Sequence, residues 1–165
     1  MSRPMHAHEE EARAVNGHGV VELTGGKHTS LVRAMHRLAD AISAPAPGRE
    51  EAWARTAADA TRRLLSAMAD HRAATESTGG LYEAVSEVQP HLAQRVQYLK
   101  DSNHFIAARG ELLLEEVERI AGGLGGAFMA VRTHALDLLG EVRQQQAREV
   151  DLMFEVYHRD DGGID

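Results

Sequence analysis

The sequence predicts an all-α protein: an antiparallel up-down-up-down four-helix bundle behind a flexible N-terminal tail. Three observations predict it. Apolar residues recur at three- and four-residue spacing through four long segments, the period of an amphipathic helix. Clusters of glycine and proline separate these segments and leave short connections, which favour antiparallel neighbours. No segment shows a convincing apolar–polar alternation of the kind a strand needs.

Residues 1–26 read as a polar tail, punctuated by Asn16-Gly17, Gly19 and Gly25-Gly26 and carrying His6, His8 and His18. The bundle domain is expected over 27–163. Its first helix places Leu31, Met35, Leu38 and Ile42 on one stripe, with Val32 and Ala39 beside them, and ends at Pro45 and Pro47. The second begins near Glu50-Glu51, two acids that suit the positive end of a helix dipole. It carries Ala57, Ala60, Thr61, Leu64, Met68 and then His71, and stops before Gly79-Gly80. A short amphipathic piece, LYEAVSEV, leads to Pro90, a residue suited to a helix start. The third helix runs through Leu92, Val96, Leu99, Asn103 or His104, Ala107, Leu113, Val117 and Ile120, with Gly110 as a mild weakness. GGLGG at 122–126 is the clearest break. The fourth helix carries Met129, Val131, Ala135, Leu138, Leu139, Val142, Gln145 or Gln146, Glu149, Leu152, Met153 and Val156, and DDGGID ends it. Helices of about twenty to thirty residues give a bundle ~30–45 Å long. Four apolar stripes must face one another to leave water.

Composition narrows the function. A chain of 165 residues suits one domain with a substantial core. It has no cysteine, which excludes disulfides, thiolate metal sites and cysteine nucleophiles and fits a reducing cytoplasm. A net charge of −7 argues against a nucleic-acid-binding surface. No apolar run approaches the ~20 residues of a membrane span, and the polar N-terminus is not a secretory signal. Aromatics make up only 4 % of the chain, so the core must be aliphatic and alanine-rich. No Ser/His/Asp arrangement, phosphate loop or dinucleotide-binding glycine pattern is present, and GGLGG lacks the strand before it and the lysine after it that a phosphate loop needs. The sequence therefore leans away from an enzyme.

Polar residues fall on the buried faces. His28 lies three before Leu31, and His71 lies three after Met68. His104 sits on or near the third stripe, and Gln145 and Glu149, one turn apart, on the fourth. Every long helix thus offers a polar group to the interior. Buried without partners, such groups cost on the order of 1–3 kcal/mol each. They must pair, bind water or hold a metal. Antiparallel packing brings His28, near the start of one helix, to His71, near the end of the next. His104 reaches that level only if the 77–89 segment forms an overhang at that end. His36, His91, His134 and His158 read as surface residues, and Met35, Met68, Met129 and Met153 as core filling.

Four stretches together resemble the hemerythrin-like, HHE cation-binding family over about residues 27–163. They are KHTSLVRAM, ADHRAATESTGGLYEAV, LKDSNHFIAARGELL and QQQAREVDLMFEVYHRDDGG. The resemblance implies a four-helix bundle with a non-haem iron site built from five histidines and two bridging carboxylates. It places His28, His71, Glu76, His104 and Glu149 as metal ligands. Two family positions differ here: Lys100 stands one turn before His104, and Gln145 stands at the fourth-helix histidine. The resemblance therefore implies iron in a mononuclear or incomplete diiron site, or none. Binding or sensing, with O2 or another small diatomic as ligand, is the expected role. The alternative is a metal-free interaction or regulatory module, with a protein partner or a second copy as its target and a Lys100–Glu76 ion pair in the metal's place. A diiron redox enzyme ranks third.

Overall fold

The computed structural model describes residues 26–159, with side chains as far as Val156. The expected tail, with His6, His8 and His18, lies outside them, as does the DDGGID end beyond 159. The described residues are helical, with no strand. They form α1 (26–43), α2 (Glu50–Glu76), α3 (Leu81–Val88), a 3-10 turn (Pro90–Leu92), α4 (Ala93–Ala121) and α5 (Phe128–Arg159). None is long and apolar enough to cross a membrane.

Local chemistry fixes the boundaries. Glu50 and Glu51 open α2, and the Glu50 carboxylate accepts from the Gly48 N–H at 2.9 Å. These backbone hydrogen bonds hold its pKa below the usual carboxylate value. At the other end of α2, the chain reverses through Ser77–Gly80. Gly79 adopts φ 76°, a left-handed conformation that costs a side-chain-bearing residue about 1–2 kcal/mol. Gly80 is needed for a different reason. A Cβ there would lie 2.7–2.8 Å from the carbonyl oxygens of Thr75, Ala74 and Ser77. Those are backbone atoms that cannot swing aside. The Glu83 carboxylate accepts from the Gly79 N–H and fastens the start of α3.

The apolar side chains form two clusters. The larger joins Leu31, Met35, Leu38 and Ile42 of α1 with Trp53, Ala54, Ala57 and Leu64 of α2. From α4 it takes Ile106, Leu113 and Val117, and from α5 Val131, Leu138, Leu139 and Val142. Burying each large aliphatic side chain stabilises the fold by roughly 1.5–3 kcal/mol. Alanines on α2 let its backbone come close to its neighbours. Gly110 does the same on α4, being buried with Leu65 Cδ2 only 2.6 Å from where a Cβ would stand. Its absent side chain is a packing feature, not merely a weakness of the helix. The smaller cluster joins Leu81, Tyr82 and Val85 of α3 with Leu92, Val96, Leu99 and Leu152. Through this cluster the 77–89 segment packs on the start of α4 and the later part of α5.

Two core assignments are corrected. Met129 is 60 % exposed, because it lies on the outer side of the first turns of α5. His104 is exposed, and Asn103 beside it takes the inward position. Gln145 and Gln146 are both buried, so the choice between them was unnecessary.

Candidate functional site

Between the two apolar clusters lies a layer of polar side chains. α2 contributes His71 and Thr75, α3 contributes Tyr82, α4 contributes Asn103, and α5 contributes Gln145, Gln146 and Glu149. Each lies where the apolar stripe of its helix is interrupted.

Glu149 is the centre. It is only 5 % exposed, so an ionised carboxylate here requires partners. His71 Nε2 lies 2.6 Å from Oε2, and the Tyr82 hydroxyl donates to Oε1 at 2.6 Å. With His71 donating from Nε2, both carboxylate oxygens are served. The Tyr82 oxygen accepts in turn from Asn103 Nδ2 at 3.2 Å, and the same amide donates to Glu76 Oε1 at 3.3 Å. Glu76 Oε2 lies 3.7 Å from His104 Nε2 at the surface. The result is a continuous chain: His71, Glu149, Tyr82, Asn103, Glu76, His104. Burial, and then the facing Glu149 carboxylate, raise the Tyr82 pKa above its ordinary value. The phenol keeps its proton and remains a donor.

Neighbouring groups are also committed. Gln145 Nε2 donates to the Leu99 carbonyl at 2.9 Å, and Gln146 Nε2 lies 3.2 Å from His28 Nδ1. Thr75 returns its hydroxyl to the His71 and Arg72 carbonyls. Two buried atoms in this layer, His71 Nδ1 and Gln145 Oε1, have no hydrogen-bond partner among the described residues. Both residues line a small cavity of about 20 Å³, together with Leu31, Met68, Asn103 and Glu149. That volume has room for one water-sized group.

The five candidate ligands are therefore distributed. His71 meets Glu149, Glu76 meets His104, and His28 meets Gln146 instead of another candidate. Tyr82 and Asn103 stand between the first two pairs. Among the described residues, no three His, Asp or Glu side chains form a group that could hold a metal ion. Stable transition-metal sites need at least three converging donors. The Glu149 carboxylate already meets His71 at one oxygen and the Tyr82 hydroxyl at the other. The donor set does not fit a diiron centre. The Lys100–Glu76 ion pair is not formed either, because Glu76 faces Asn103 and His104.

Tyr82 and Thr75 are the participants that sequence reading left out. Tyr82 was legible only as part of a short amphipathic piece. Its signal is an aromatic hydroxyl beside Leu81 in a chain with three tyrosines. His36, His91 and His134 are exposed as expected, and His134 pairs with Glu116. Comparison with protein-family models, curated proteins and solved structures finds no match to this chain.

Proposed function

We propose that the chain is a hemerythrin-like, antiparallel up-down-up-down four-helix bundle that works as a metal-free interaction or regulatory module in the cytoplasm. In this reading a hydrogen-bond network centred on Glu149 stands where the resembling family holds its iron. Cross-helix contacts support the topology, because rising numbers on one helix meet falling numbers on the next. Arg62 and Glu76 of α2 meet Glu118 and Asn103 of α4. Arg109 and Glu116 of α4 meet Glu141 and His134 of α5.

One observation carries the metal-free reading: both oxygens of the buried Glu149 carboxylate are held at 2.6 Å by His71 and Tyr82. An ion entering there would compete with these two donors for the carboxylate. The network also gives the four polar helix faces a reason to exist without a metal. Buried polar groups that find partners cost less than unpaired ones, and the two atoms of the layer left unpaired, His71 Nδ1 and Gln145 Oε1, belong to residues that line the small cavity.

The test is metal analysis of protein purified without a histidine tag, followed by melting with chelator and after anaerobic loading with iron or zinc. The expected result is metal far below one ion per chain and an unchanged melting temperature. An ion held at a hundred times its dissociation constant would add ~2.7 kcal/mol to apparent stability. Stoichiometric iron or zinc that His71→Ala removes would overturn this reading in favour of the reduced metal site.

A further inference from the structure

α4 has a second apolar face, turned away from both clusters. Tyr98, Phe105 and Leu112 are 54 %, 63 % and 60 % exposed and follow one another at seven-residue intervals. Seven residues are nearly two turns, so the three lie in one line ~21 Å long. Asp101, Ala108 and Glu115 fall three residues after each, and Arg119 continues the seven-residue series; all four are exposed. This is the 3-4 spacing of a helix-pairing seam on the outside of the molecule. Scattered exposed apolar residues are ordinary, but three in register along one helix form a surface with a direction.

We infer that this face pairs with α4 of a second copy of the chain, in antiparallel orientation. The charges choose the partner and the direction. Asp101 and Arg119 each lie nine residues from position 110, on opposite sides of it and on the centre line of the face. A two-fold axis at that level brings Asp101 to the partner's Arg119, and Arg119 to the partner's Asp101. The same register sets Ala108 against the partner's Leu112, and Phe105 against the aliphatic stem of the partner's Glu115. His104, at the edge of the face, comes level with the partner's Glu116. Glu111 meets the partner's Glu111 at the rim, where solvent screens the repulsion. Parallel pairing would instead set Asp101 on the partner's Asp101 and Glu115 on the partner's Glu115. A self-complementary patch of this kind is what a closed two-fold dimer requires.

A single helix face supplies the apolar core of an interface but less than the ~800 Å² per partner of a standard one. The dimer is therefore one of roughly micromolar strength. Sedimentation velocity on the full chain, from about 1 to 300 µM, tests this range. The mass should rise from that of the 18.0 kDa monomer towards twice that value. Leu112→Glu should weaken association at least about 30-fold without changing helicity or melting, because Leu112 takes no part in either core. Asp101→Arg should weaken it about tenfold, and adding Arg119→Asp should restore it. A wild-type chain that stays monomeric overturns the inference, as does a dimer indifferent to Leu112→Glu. A charge swap that fails to restore association overturns the antiparallel pairing.

Discussion

Tyr82→Phe isolates the polar link between α3 and the Glu149 carboxylate. The ring stays, so the packing with Leu81, Val85, Leu99 and Leu152 is kept. Only the hydroxyl leaves, and two hydrogen bonds end on it. Glu149 Oε1 loses its donor at 2.6 Å while remaining buried. Asn103 loses one of two acceptors but keeps Glu76. Losing a donor to a buried carboxylate oxygen costs more than an ordinary hydrogen bond, about 2–3 kcal/mol. In a domain of this size that lowers the melting temperature by roughly 5–10 °C. Urea unfolding followed by circular dichroism reads the difference directly.

The same substitution carries a pH signature. The Tyr82 pKa is raised from 10.0, by burial first and then by Glu149. Above that pH the unfolded chain releases a phenol proton that the folded chain keeps. The stability contributed by this group is complete below pH ~10 and declines as pH rises, by up to about 1.4 kcal/mol per unit. The gap between wild type and Tyr82→Phe should therefore narrow above pH 10. A variant within ~0.5 kcal/mol of wild type at pH 7 would refute the placement of the hydroxyl on Glu149.

Three further outcomes follow from the same geometry. His71→Ala removes the other donor to Glu149 and opens space beside a buried carboxylate, so it should cost about 2–4 kcal/mol in urea unfolding. His104→Ala, at an exposed position, should cost less than ~0.5 kcal/mol, and equal losses for the two would count against the buried network. Gly80→Ala should cost about 2–4 kcal/mol because its Cβ meets three carbonyl oxygens, and Gly79→Ala about 1–2 kcal/mol from its left-handed φ alone. The two variants can be ranked by melting temperature, and the reverse order would refute the steric account.

The helices were legible because their signals are redundant. The stripe from Leu31 to Ile42 and the prolines at 45 and 47 agree on the first helix, and the glycines at 79–80 and 122–126 mark the later boundaries. His71 and Glu149 were legible for a related reason, as polar residues in register with an apolar stripe. What the pattern could not decide was one-residue rotation near a helix edge. Asn103 and His104 are adjacent, and spacing alone does not say which turns inward. Partners across the structure were also hidden. Tyr82 reaches Glu149 over 67 residues of sequence, and no local pattern encodes that meeting. Met129 was misplaced because both sides of α5 carry apolar residues, and only the opposing helices decide which side is covered.

The two apolar clusters, divided by a polar layer, also bear on how the molecule opens. A continuous core melts as one unit, whereas a divided one can come apart at its division. α3 and the following turn belong wholly to the smaller cluster and are tied to α5 through the phenol on Glu149. Their backbone amides should exchange with solvent through an opening that leaves α2 and the middle of α4 protected. Its free energy should fall in Tyr82→Phe by the same amount as the global value, or more. Brief proteolysis should then cut first near Ser77–Gly80. On this expectation the short helix melts before the rest, with the Tyr82 hydroxyl as one of its ties to α5 beside the Gln89–Val156 hydrogen bond.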